Sequence, residues 1–146
     1  MSSLKVDNIT GRGSTGFTGS VKSEGGNTTT DLQQGLAKSW VNFNGTGTIA
    51  TRDSLNHSSL TDHGAGNYTS TISSAMGNSD YAVSLANAQG IAGSTNSAIG
   101  IVTDGTAGDD ALDTYSTTAQ KVVHRVSSGA SQDLTLCCIS ILGDLA

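Results

Sequence analysis

Apolar positions in this chain alternate with polar ones far more often than they recur at helical spacing. Residues 2–9, SSLKVDNI, carry Leu4 and Val6 in phase with Ile9 one step out, which predicts a short strand. Over residues 11–35 the apolar positions thin to Phe17, Val21 and Leu32. Such a stretch buries too little surface to offset the entropy of ordering it. From residue 36 the alternation returns: in LAKSWVNF, Val41 and Phe43 face one side, Lys38 and Trp40 the other. Asn44-Gly45 signals a turn, and a weaker strand runs over 49–56. Residues 56–66, NHSSLTDHGAG, read as a polar loop. Tyr68, Ser70 and Ile72 share a phase, as do Tyr81, Val83 and Leu85. Residues 86–114 lack a firm period apart from a short strand at 99–102. Val122, His124 and Val126 oppose Lys121, Val123 and Arg125. Residues 133–142 are apolar on both faces, which predicts a central strand or a strand with one face in a subunit contact. No apolar set recurs at helical spacing.

These elements predict an all-β protein, an antiparallel β-sandwich of jelly-roll-like type over residues 36–146, with an extended N-terminal arm over residues 1–35. Composition bears on how it is stabilised. Of 146 residues, 35% are hydrophobic and 13% charged, both below the usual share for globular domains. The net charge of −5 is modest and Val, Ile and Thr are frequent in the second half, so the polar character points to a thin-cored fold rather than disorder. A thin core favours association, which buries surface the monomer cannot. Seven scattered Lys and Arg residues argue against nucleic acid as a partner. No segment reads as a signal peptide or as a membrane span.

Candidate chemistry is sparse. Cys137 and Cys138 are adjacent, so on a strand they point to opposite faces and share neither a metal nor an easy disulfide. His57 and His63, with Asp53 and Asp62 near them, are of metal-ligating type, but their spacing matches no closed site. His124 reads as a satisfied, half-buried strand histidine. Asp104, Asp109 and Asp110 gather oxygens around glycines as a hard cation needs, without the EF-hand order. Ser54, Asp53 and His57 compose a triad only on paper, and no serine sits in a G-x-S-x-G elbow. GRGSTG lacks the Lys-Ser/Thr ending of a phosphate loop. The expectation is therefore a non-enzymatic protein with no cofactor and no assigned metal.

Several segments, LKVDNI, then SEGGNTTTDLQQGLAKSWVNFNGTGTIATRDSLN, then YTSTISSAM and the closing LGDLA, resemble small virion proteins of tailed bacteriophages of the marine podovirus type. Proteins of that kind are labelled tail fibre or minor structural protein. The resemblance covers nearly the whole chain, and GLAKSWVNFNGTGT is its most specific part. It implies a β-rich structural component of the virion, assembled in the bacterial host cytoplasm and trimeric if a fibre. The expected role is a tail fibre or a tail or collar appendage subunit. A capsid decoration (cement) protein is the alternative, and a glycan hydrolase a further one. The expected partners are other copies of the chain, tail, collar or capsid proteins, and host surface glycan. On this reading Leu4, Val6, Ile9 and Phe17 dock the arm and Trp40 meets the arm or a neighbouring subunit. The loops over 56–66 and 86–114 would carry ligand contacts, with His57, His63, Asp104 and Tyr115 as candidates.

Overall fold

Alternation of inward and outward side chains becomes strand through most of the chain. The structure, a computed structural model, describes residues 20–22, 29–31, 35–88, 98–102, 116–126 and 129–146. The chain divides into two compact units, Met1–Leu36 and Ala37–Ala146. In the first, β1 (Ser20–Lys22) and β2 (Thr29–Asp31) pair antiparallel, Val21 opposite Thr30. The sequence marks no strand there; these three-residue strands are too short for a period to register. The expected strand over residues 2–9, with Leu4, Val6 and Ile9, and the docking candidate Phe17 lie outside the described residues.

The second unit is all-β among the described residues, with no helix and so none able to cross a membrane. Its strands are β3 (Ala37–Asn44), β4 (Ala50–Leu55), β5 (His57–Asp62), β6 (Asn67–Ile72), β7 (Ala82–Ala88), β8 (Ala98–Val102), β9 (Ala119–Val126) and β10 (Leu136–Leu142). They form two antiparallel sheets, ordered β4-β3-β10-β7 and β5-β6-β9-β8. The strand β10 is central, between β3 and β7; its inward Cys137, Ile139 and Ile141 are buried in the core and its outward residues are half-buried. The expected loop over 56–66 is mostly strand: β5 occupies 57–62 and the turn is confined to the residues around Gly64 and Gly66. This strand is an exposed edge with Leu60 its one partly buried apolar residue, so burial left almost no hydrophobic signature to read.

Both sheets contribute to one core. Val41 and Phe43 of β3 and Cys137, Ile139 and Ile141 of β10 join Tyr68 and Ile72 of β6 and Val122 of β9, with Met76, Tyr81 and Leu134 closing its ends. Phe43 meets Tyr68 edge to face, centroids 5.1 Å apart at 76°, a geometry that contributes about 1 kcal/mol beyond area burial. The residues after β10 pair back onto the turn that follows β6: Gly77 N–H donates to Asp144 O at 2.7 Å and Ala146 N–H to Ala75 O at 3.0 Å.

The passage between sheets is a single residue. Asn56 separates β4 from β5 and holds a left-handed φ of 51°. Asparagine tolerates that region better than other non-glycine residues. Its side-chain amide donates to Lys38 O and Ser74 O, each at 3.0 Å, and its Oδ1 accepts from Ser74 N–H at 2.6 Å. Its own carbonyl accepts from Ser73 N–H and Ser39 Oγ, each at 3.2 Å. Replacing it with alanine removes the side-chain bonds and adds left-handed strain, a loss of about 3 kcal/mol; glycine removes the bonds alone. Urea denaturation should therefore rank wild type above Asn56→Gly and Asn56→Gly above Asn56→Ala. Equal stability of all three would remove the corner from the folding account.

Candidate functional site

Two places in the second unit combine unusual residues: the outward face of the β4-β3-β10-β7 sheet and the space between the sheets near His124. On the first, alternation along β3 turns Ser39, Val41 and Phe43 inward and Trp40 outward. Register then sets Ser84 of β7, Ser140 of β10, Trp40 of β3 and Leu55 of β4 in one row. Trp40 is half-buried, and Leu55 is 49% exposed beside it. The next row is Ala86, Cys138, Asn42 and Asp53. Asp53 and the Arg52 guanidinium, which donates to Asn42 Oδ1 at 3.2 Å, charge the β4 side of this strip; the rest is uncharged, with one large aromatic, Trp40. The two cysteines behave as their adjacency predicts: Cys137 is buried, Cys138 half-buried on this outward face, and both are free.

The histidines read as ligand candidates are not brought together. His57 opens β5 and His63 follows its end, roughly 20 Å apart along an extended strand. His57 turns inward: Nδ1 lies 2.9 Å from Ser70 Oγ and Nε2 3.5 Å from Thr51 Oγ1. Burial holds its pKa below the ordinary value. Ser70 is only 2% exposed. Asp53 accepts from the Ser54 backbone N–H, and the partners of His57 are Ser70 and Thr51 rather than either of these two residues. His63 is exposed, with Nε2 2.9 Å from Thr69 Oγ1. Among the described residues no group of three or more His, Cys, Asp or Glu side chains is placed to hold a metal ion. Asp104, Asp109, Asp110 and Tyr115 lie outside the described residues.

Between the sheets, His124 of β9 is completely buried, where the sequence reads as half-buried. It packs against Tyr68 and Phe43 with ring centroids 5.9 and 6.4 Å away. Its Nδ1 lies 3.3 Å from the Asn87 side-chain amide of β7, in the opposite sheet. Among the described residues its Nε2 has no hydrogen-bond partner, where the strand pattern suggests a satisfied histidine. Burial lowers its pKa to about 4. Across the gap, register places Asn87, Cys137 and Phe43 in one row. Burial, followed by the Cys138 thiol, pushes Cys137 up to about 12.

One end of this space is closed by Asp133, to which sequence reasoning assigns no role. Its Oδ1 accepts from Tyr68 Oη–H at 2.7 Å and Gly66 N–H at 2.7 Å. Burial and the Asp133 hydrogen bond push the Tyr68 phenol far above its ordinary range. Gly66 is required here: its φ is +68°, and a Cβ would lie 2.5 Å from His124 O and 2.6 Å from Gln132 N. The Gly66 carbonyl accepts from His124 N–H at 2.7 Å, and His124 O accepts from Gln132 N–H at 3.0 Å. The available sequence signal was a glycine between a polar turn and a strand, which marks a special backbone but not its partner.

Comparison with known proteins finds no matching family model, no matching curated protein and no matching solved structure. The geometry therefore stands by itself. It describes a tied inter-sheet cluster and an outward face with an aromatic centre. The tie predicts that Tyr68→Phe, which keeps the ring and removes the proton Asp133 accepts, destabilises the protein by about 2 kcal/mol. Thermal unfolding at neutral pH measures this, and an unchanged midpoint would show the hydroxyl to be dispensable.

Proposed function

We propose that this chain is a non-enzymatic structural protein of a bacteriophage virion, a tail fibre or a tail or collar appendage subunit. On this reading residues 1–35 anchor the subunit to the particle and residues 36–146 form a β-sandwich that assembles as a homotrimer. The two facing sheets with a shared core support the sandwich. The pairing of the unit's first and last strands, β3 and β10, supports a jelly-roll-like path. The segment resemblance to tailed-phage virion proteins supports the setting.

The observation that carries the assembly reading is the outward row containing Trp40 and Leu55. The inward face of that sheet already fills the core, so an exposed leucine beside a half-buried tryptophan has no folding duty left on the outer side. Large aromatics at the centre of an otherwise small-residue surface are the usual anchors of protein contacts. Loss of such an anchor costs about 2 kcal/mol or more, roughly 30-fold in association. The turn that follows β5, which bears the exposed His63, then remains available for host-surface contact.

Trp40→Ala and Leu55→Ser, examined by sedimentation velocity and circular dichroism, should yield a folded subunit with weakened assembly. Wild-type protein that is monomeric at particle-assembly concentrations, or an oligomer indifferent to both changes, would overturn the assembly reading. Copy number per particle from a labelled virion image tests the placement: a few dozen fits a fibre or appendage, and hundreds would transfer the chain to the capsid surface (roughly, by symmetry of closed assemblies).

A further inference from the structure

We propose that His124 is an acid-sensitive pin between the two sheets, whose protonation breaks its cross-sheet contact with Asn87 and loosens the fold. The contact joins β7 of one sheet to β9 of the other. With the Asn87 amide nitrogen donating, Nδ1 must accept, so the neutral ring carries its proton on Nε2. A second proton on Nδ1 sets donor against donor at this contact. It also places a full charge at a completely buried position, where desolvation strongly disfavours it.

The surroundings offer that charge little relief among the described residues. From β6 it meets the Tyr68 phenol, neutral and engaged with Asp133. From β3 it meets the Phe43 ring. In the row facing it, Asn87 is a neutral amide and Cys137 stays a neutral thiol, held up to about 12. The β8 residue opposite it is Gly100, which has no side chain. The Asp133 carboxylate, from the segment before β10, takes its hydrogen bonds from Tyr68 and Gly66. Lys121 and Arg125 of β9 alternate onto the other face.

The direction follows from linkage. His124 binds its proton near pH 4 when folded, against 6.5 for an unperturbed histidine. Between those values the unfolded chain holds the proton and the folded chain does not, so stability falls as pH falls. From pH 7 to pH 4 this one group weakens the folding constant roughly 100-fold.

The experiment measures urea unfolding of the full chain from pH 7 to 4 for wild type, His124→Leu and Asn87→Asp, together with the wild-type imidazole resonance of His124. Wild type should lose roughly 100-fold more in folding constant than His124→Leu over that range. The other titrating groups, His57 included, are common to both proteins. Asn87→Asp places an acceptor beside Nδ1, and should raise the His124 titration and shrink the acid loss. Parallel pH profiles for wild type and His124→Leu would overturn the proposal. So would a His124 resonance titrating near its ordinary value in the native protein, a measurement that decides even where His124→Leu does not fold.

Discussion

Everything in the larger unit hangs on the chain leaving one sheet and entering the other within a single residue. At Asn56 the backbone is left-handed, and the side chain satisfies polar groups from two separate stretches of chain, at Lys38 and at Ser74. Because β4 and β5 are edge strands of different sheets, this corner brings one edge of each sheet together. The hairpin partners β3 and β6 then carry Phe43 and Tyr68 into contact. A core of few large side chains needs such placement, since it has little spare burial with which to tolerate misalignment.

The strands with one buried face were legible because burial imposes a period of two. The phases read from Val41 and Phe43, from Tyr68, Ser70 and Ile72, and from both sides of β10 match inward and outward positions in the structure. Where no face is buried, the signal vanishes. The strand β5 is nearly all polar because it borders solvent, and a string of Ser, Thr and His is indistinguishable from a loop without its partner strand. The Asn56 corner left little trace in sequence: the asparagine ends a weak strand and opens a run that reads as a polar loop, and nothing local says that this run is a strand of another sheet.

The sites divide the same way. Trp40 on the opposite face from Phe43 follows from parity alone, and the row with Leu55 and Ser140 required only the register to be added. The buried cluster was illegible. Asp133, Gly66 and Tyr68 are linked across more than sixty residues of chain, and Asn87 meets His124 across two sheets. Sequence spacing carries no trace of contacts made through the core. His124 itself looked ordinary because a polar residue on an apolar strand gives its phase but not its partner.

The central place of β10 has a consequence for how the protein comes to be made. Val41 of β3 has its partner, Ile139, roughly a hundred residues further along the chain, the kind of non-local pairing that slows folding. Until β10 arrives, β3 has only the β4 hairpin beside it, and its other side offers an unsatisfied ladder of amides and carbonyls to any extended chain nearby. On a crowded polysome, where sister chains emerge side by side, that interval is when strand exchange between copies competes with correct closure.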